Sequence, residues 1–294
     1  MFEIVNRQIL SEDIKRISVL AKDIASRAKP GQFVAVCPEE GDERIPLTIV
    51  DSDPSKGTIT LIFHEKGQTT LKLGSLPIKE NIYSIVGPLG KPSTVEKKGT
   101  VICIATGVGI AQMLPIARAY RNIGNKVIGI IGAKSKRRLM LEPQMRICCN
   151  KLYIATEDGS YERKGLATDI LKKMINEETV NMVYAIGAVE MMENVCAFTK
   201  EKKIKTFVQL NPIMVDCMGM CGSCRVKVSG KMVHACIEGP EFDGHKVDFN
   251  EFKLRSNSLE ELDEWYSQKS QLSTPIKEPG ILTRFLWGSQ KEQP

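Results

Sequence analysis

Between residues 98 and 208, short and wholly apolar runs alternate with amphipathic stretches, and no other feature of the chain restricts its fold as tightly. TVICIATGVG, KVIGIIGAK, KLYIATEDG and NMVYAIGAV carry too few polar positions for a strand with one face in water. They read as parallel strands buried on both faces. AQMLPIARAYRNIG, LATDILKKMINEE and EMMENVCAFTKEKK have helical periodicity, and KTFVQLN closes the series as a last extended run. Pro115 is expected in the first turn or so of its helix, where a missing N–H is tolerated. Strand–helix alternation of this kind implies right-handed crossovers and a doubly wound parallel sheet.

Residues 1–97 have a different texture. GQFVAVCP, IPLTIVDSD, TITLIFHE and NIYSIVGPLG are β-rich runs separated by Gly, Pro and Asp turn signals, as in a small antiparallel barrel or sandwich. The segment 209–252 is rich in Gly, Cys and Met and reads as a module of its own. The tail, 253–294, contains one acidic helical stretch, SLEELDEWYSQ. The expected architecture is therefore β + α/β: an antiparallel β-barrel over 1–97, a doubly wound parallel-sheet domain over 98–208, a small cysteine module over 209–252 and a tail.

A chain of 294 residues, 42% hydrophobic, buries such a core without disulfide staples, so its nine cysteines need another explanation. The opening MFEIVNRQILSEDIKRISVL has scattered charges and no apolar leader core. No apolar run approaches the roughly 20 residues of a membrane span. A cytoplasmic location without membrane insertion is expected, and there cysteines serve as metal ligands or buried thiols. The net charge of +6 suits phosphates or an acidic partner, and nothing resembles a basic nucleic-acid tail.

Four of the cysteines lie within twenty residues, in DCMGMCGSC followed by Cys236. Plant-type two-iron centres use C-x4-C-x2-C with a distant fourth cysteine. Cys221 and Cys224 supply the close pair and Cys236 the distant ligand. Counting back from Cys221 puts Asp216, not Cys217, in the first slot. Asp216 is the favoured fourth ligand, with Cys217 the alternative if the loop shifts. A carboxylate is a harder, less electron-donating ligand than a thiolate and alters the cluster's potential. Gly219 and Gly222 let the backbone curl and offer N–H groups to sulfur. The competing reading is a zinc site, but zinc ribbons show two C-x2-C knuckles and this segment has one.

Gly107 and Gly109 sit between a buried strand and a helix, where close backbone approach and a helix N-terminus suit a diphosphate. The loop departs from G-x-G-x-x-G, so a tight strand–helix turn is the competing reading. Lys134-Ser135-Lys136-Arg137-Arg138 follows the second strand; a solvated loop is favoured over a 2′-phosphate site, which makes NAD(H) the expected nucleotide and NADP(H) the alternative.

Within 1–97, KPGQFV is followed by Arg44-Ile45-Pro46-Leu47-Thr48, then by Lys66-Gly67-Gln68-Thr69-Thr70, then by GPLG. This order resembles the ferredoxin reductase superfamily. The resemblance implies FAD held with Arg44 on its pyrophosphate, Thr48 near the flavin ring and Pro46 and Leu47 packed beside it. Gly67, Thr69 and Thr70 would make the second pyrophosphate contact. Gly187, in Gly187-Ala188-Val189-Glu190-Met191-Met192, matches that superfamily's second nucleotide loop.

The whole order over about 1–252, from flavin barrel through nucleotide domain to two-iron module, is similar to the electron-transfer subunits of the dihydroorotate dehydrogenase B family. MVDCMGMCGSCRV and CIEGPEFDGHKVDF are closer still to the small subunits of NADH-dependent reduced ferredoxin:NADP oxidoreductases, also described as sulfide dehydrogenases. Those have aspartate in the first ligand slot but usually glycine after it, where this chain has Cys217. The resemblance implies FAD, a [2Fe-2S] cluster and NAD(H) in electron relay, with no general acid or nucleophile. It also implies a larger flavin- and iron–sulfur-containing partner that handles ferredoxin and NADP(H). The alternatives are a partner that oxidises dihydroorotate and, outside enzymes, a zinc-bearing interaction protein.

Overall fold

The computed structural model describes residues 2–11 and 13–256. The chain opens with β1 (Phe2–Ser11), β2 (Ile14–Leu20), α1 (Lys22–Arg27), β3 (Phe33–Cys37), β4 (Ile45–Asp53), β5 (Thr58–His64), α2 (Gln68–Ser75), β6 (Asn81–Ile82) and β7 (Ser84–Leu89). The strands form one antiparallel sheet in the order β6-β1-β2-β5-β4-β3-β7. Ile4, Ile17, Val34, Leu47, Leu61, Ile82 and Ile85, one from each strand, meet in a single buried cluster. A sheet whose every strand faces one interior is rolled, and this one makes a nearly closed barrel. The two-residue period puts Leu47 and Ile49 of β4 inside, and Pro46, Thr48 and Val50 outside.

The second half contains β8 (Thr100–Thr106), α3 (Gly109–Asn122), β9 (Lys126–Ala133), α4 (Glu142–Cys148), β10 (Lys151–Thr156), β11 (Arg163–Lys164), α5 (Ala167–Glu177), β12 (Met182–Ile186), α6 (Val189–Glu201) and β13 (Lys205–Gln209). Then follow β14 (Arg225–Val228), β15 (Lys231–His234), α7 (Ala235–Glu238) and β16 (Glu241–Asp243). The large sheet runs β11-β10-β9-β8-β12-β13-β16, with β14 and β15 as a separate hairpin. Every pairing within it is parallel except β13 with β16. Helices cover both faces, so the doubly wound architecture is as the alternation requires, and its order reverses between β8 and β12.

Three features differ from the sequence reading. Pro115 is the seventh residue of α3, not in its first turn. Its missing N–H and ring clash cost about 3 kcal/mol, but burial of neighbours such as Leu114 and Ile116 returns roughly 1.5–3 kcal/mol each. Helix α4 was not anticipated, because the basic run before it masks a short segment started by Pro143. The cysteine segment is not self-contained: β16 pairs antiparallel with β13 and extends the parallel sheet by one strand.

The barrel docks on α3. Val50, on the outer face of β4, shares a buried cluster with Ile110, Ala111 and Leu114. Arg118 Nη1 closes the seam on Asp51 Oδ1 at 2.7 Å. No helix among the described residues is long and apolar enough to cross a membrane. The acidic stretch expected at 258–268 lies outside the described residues.

Candidate functional site

The expected flavin residues do not share one face. Thr48 and Pro46 point out of the barrel, opposite Phe33 and Ala35 on the neighbouring strand. Leu47 points the other way, into the barrel core, so only its backbone is available on the outer side. Arg44 is exposed just ahead of β4, leaving its five N–H donors open for phosphate. Gly67 caps α2, and Thr70 Oγ1 accepts from the N–H groups of Lys66 and Gly67 at 3.0 Å each. With that turn fixed, the first-turn amides of Gln68, Thr69 and Thr70 make no hydrogen bond among the described residues. A cation at one strand end and free amides at a helix start fit a diphosphate.

Gly107 and Gly109 follow β8, and Gly187 follows β12, at the carboxyl ends of the two central strands. That is the point of order reversal where open α/β sheets take ligands. A Cβ on Gly109 would lie 2.7 Å from the carbonyl oxygen of Ile186 and 3.1 Å from Gly187 Cα. The two loops can approach this closely only because glycine stands there. Thr106 Oγ1 ties them further by accepting from Ala188 N at 3.2 Å. Around Gly107, by contrast, an added Cβ meets nothing within 4 Å, leaving an open backbone surface beside the N-terminus of α3.

The basic run is partly engaged. The Lys136 ammonium lies 4.7 Å from the centre of the Tyr161 ring, and its backbone N–H donates to Ser160 Oγ. Arg138 reaches Asp13 at 3.4 Å. Lys134 and Arg137 are exposed.

In the cysteine loop, the β14–β15 hairpin sets the geometry. Arg225 pairs with His234, and Ala235 N donates to Cys224 O, so Cys224 and Cys236 are brought together with their sulfurs 3.3 Å apart. Cys221 stays on the exposed rim with its sulfur 3.1 Å from Ser223 Oγ. The Asp216 carboxylate faces the loop backbone: Oδ1 accepts from Met218 N, and Oδ2 from Met220 N and Cys221 N. Oδ1 keeps a lone pair beyond these bonds. Cys217 is buried with a left-handed backbone (φ 61°), in one cluster with Cys224 and Cys236, and its sulfur lies 3.9 Å from the Met214 carbonyl oxygen. Of the expected ligands, Cys224 and Cys236 are in contact and Asp216 meets Cys221 through the Cys221 backbone N–H, but no three of these side chains are gathered into a metal-holding group among the described residues.

The electrostatics separate these groups. Burial, and then its hydrogen bond with Cys224, pushes the Cys236 thiol up to about 12, against a hydrogen bond from Gly219 N–H. Burial, and then the Asp216 charge, pushes Cys217 up to about 12, an effect that Arg44 opposes. Burial also works to raise Cys221, but hydrogen bonds from the Ser223 hydroxyl and N–H outweigh it and lower that thiol. For Asp216, burial is likewise outweighed by the three backbone N–H donors, which hold the carboxyl below its usual range. By residue type, three thiols and a carboxylate are donors that an iron–sulfur cluster takes.

One contact escaped the sequence reading. Gly239 O accepts from Lys91 N at 2.7 Å. Gly90 is pinched between Pro240 and the Phe33 ring, where a Cβ would come within 3.0 Å of Pro240 Cδ and 2.8 Å of Phe33 Cε1. The cysteine module therefore touches the barrel at the strand beside Thr48. GPLG and EGPE give only a turn signal in sequence and carry no hint of their partner.

A family model described as the iron–sulfur cluster binding domain of dihydroorotate dehydrogenase B matches residues 211–248. A Thermotoga maritima protein described as a homolog of the dihydroorotate dehydrogenase B (NAD(+)) electron transfer subunit is 38% identical over 253 residues, covering 86% of this chain and 89% of its own. The Desulforamulus reducens dihydroorotate dehydrogenase B (NAD(+)) electron transfer subunit is 32% identical over 235 residues, 77% of this chain and 89% of its own. Among solved structures, a chain of NADH-dependent reduced ferredoxin-NADP oxidoreductase, studied for flavin-based electron bifurcation, matches with a TM-score of 0.87 and 36% identity, over 93% of this chain and 98% of that one.

Proposed function

This chain belongs to the family of dihydroorotate dehydrogenase B electron-transfer subunits, and we propose that it carries electrons between NAD(H) and a larger flavin- and iron–sulfur-containing partner whose own substrates are ferredoxin and NADP(H). Its cofactors are FAD, an iron–sulfur cluster of the [2Fe-2S] type and NAD(H). When bound, FAD would supply hydride exchange with a nicotinamide and one-electron transfer, and the cluster would supply a one-electron acceptor.

The residues of the chain bind and orient. Arg44 and the first turn of α2 hold the FAD diphosphate, with Pro46 and Thr48 toward the ring. Gly107, Gly109 and Gly187 admit the nucleotide backbone at the switch point. Cys221, Cys224, Cys236 and Asp216 hold the cluster. The observation that carries the reading is the stacking at β3. Thr48 pairs with Phe33, and Gly90 sits between the Phe33 ring and Pro240, four residues after Cys236. Neighbouring strands are about 4.8 Å apart, so the flavin face and the cluster loop are separated by little more than one strand. Val50, on the same face as Thr48, packs on α3 and brings the nucleotide edge to the other side.

Asp216 in the first ligand slot supports the ferredoxin–NADP type over the dihydroorotate type. Anaerobic purification of the native complex, with mass spectrometry of the partner, tests this. A partner with further FAD and four-iron clusters is expected. An FMN-binding barrel partner would move the assignment to dihydroorotate oxidation.

A further inference from the structure

Gln209, at the end of β13, is only 1% exposed, and its side-chain Oε1 has no hydrogen-bond partner among the described residues. A buried acceptor left without a donor is uncommon, because it has surrendered its water for nothing. Its surroundings say what kind of donor is missing. Gln209 is on the sheet face that carries Phe207 and Tyr184, whose rings pack 6.3 Å apart, whereas Val208 and Leu210 are buried in the cluster on the opposite face. In extended chain the next residue on Gln209's side is Asn211. Asn211 makes a reciprocal amide pair with Gln112 of α3: Gln112 Nε2 donates to Asn211 Oδ1 at 3.3 Å, and Asn211 Nδ2 donates to Gln112 Oε1 at 3.0 Å.

Three primary amides thus lie on the α3 side of the sheet, at its carboxyl edge. That is also the side on which β4 docks, with the face bearing Pro46, Thr48 and Val50 turned toward α3. A nucleotide whose diphosphate rests on the glycine loops must extend its redox-active ring toward that face. Each member of the Gln112–Asn211 pair uses one N–H and one lone pair internally and keeps another of each. Gln209 adds an acceptor with nothing to accept.

We propose that Gln112, Gln209 and Asn211 form the subsite that recognises the carboxamide of the nicotinamide ring. A carboxamide presents an N–H₂ to the orphaned Gln209 oxygen and a carbonyl to the free amide N–H groups. A carboxylate at the same ring position has no N–H and would set two acceptors against each other. The subsite is a positioning and specificity device, and it rests on NAD(H) being the nucleotide.

The test is equilibrium calorimetry on oxidised protein loaded with FAD and cluster, titrated with NAD⁺, with nicotinic acid adenine dinucleotide and with ADP-ribose. Wild type should bind NAD⁺ on the order of tenfold more tightly than the nicotinic acid form, as expected when one buried acceptor is left facing another. In Gln209→Leu, and independently in the exposed variant Asn211→Ala, that ratio should fall to within about twofold while ADP-ribose affinity stays unchanged. A wild type that binds ADP-ribose but does not discriminate overturns the subsite and leaves the NAD(H) reading standing. So does a ratio that survives in Asn211→Ala and in every Gln209 variant that folds. Failure of ADP-ribose to bind wild type overturns the nucleotide reading and the subsite with it.

Discussion

Phe33 and Thr48 sit opposite each other across the β3–β4 ladder, on the face of the barrel that meets the cysteine module at Gly90. The Phe33 ring flanks Gly90, which Pro240 flanks from the other side, while Thr48 belongs to the outward face that continues to Val50 and α3.

Arg44 is exposed at the mouth of that face, so its role is separable from folding. Arg44→Ala should weaken FAD binding by about tenfold to a hundredfold, the worth of a charge-assisted phosphate contact. Iron and acid-labile sulfide per chain should stay as in wild type. FAD retained in full after gel filtration would count against the assignment.

Asp216 and Cys217 are adjacent and face different partners. Asp216 is held by three backbone N–H groups beside Cys221, whereas the Cys217 sulfur lies 3.9 Å from the Met214 carbonyl oxygen, buried in the cluster that also holds Cys224 and Cys236. Asp216→Ser should therefore change the visible and EPR spectra of the cluster, and Cys217→Ser should leave them as they are. The opposite pattern would make Cys217 the fourth ligand.

Gly109→Ala and Gly107→Ala should differ although both lie in one loop. The Gly109 methyl would meet the Ile186 carbonyl and force the ends of β8 and β12 apart, costing roughly 1–3 kcal/mol and most of the nucleotide affinity. At Gly107 the methyl meets open space and only the positive φ of 55° is penalised, at about 1 kcal/mol. Urea midpoints and NAD⁺ titrations of the two variants check this, and equal losses would refute the close-approach explanation.

Asp13 Oδ2 lies 2.6 Å from His64 Nε2 and 3.4 Å from Arg138, joining the barrel to the turn after β9. The hydrogen bond from His64 is the largest cause holding the Asp13 carboxyl below its usual 3.8. A depressed carboxyl contributes stability that is present above 3.8 and lost as pH falls through the lower folded value. Asp13→Asn should cost up to about 1 kcal/mol near neutrality, the range of partly exposed pairs, with the gap closing in acid. A gap in urea midpoint that persists below the carboxyl's range would assign the loss to packing.

Much of this was legible because the signals are local. Wholly apolar runs ending in glycine announce parallel strands, and a C-x2-C with a later cysteine announces a cluster loop. The hairpin that joins Cys224 to Cys236 was not read from the sequence, although RVKV and KMVH flank a Ser-Gly turn there. Leu47 was assigned to the flavin although strict alternation sets it opposite Pro46 and Thr48; the motif carried more weight than the period. The docking of β16 on β13 and the contact of Pro240 with Gly90 depend on pairings between distant segments, which no local pattern encodes. Gln209 was invisible for a related reason: a glutamine in a strand declares nothing until its carbonyl is seen to lack a donor.

The most direct test of the central claim is an anaerobic titration of the purified chain with NADH, followed by visible absorption and low-temperature EPR. The account predicts flavin bleaching together with the appearance of a reduced two-iron signal, with both lost in Arg44→Ala protein stripped of FAD. Bleaching of the flavin with no spin on the cluster even at excess NADH, or zinc in place of iron, would contradict it.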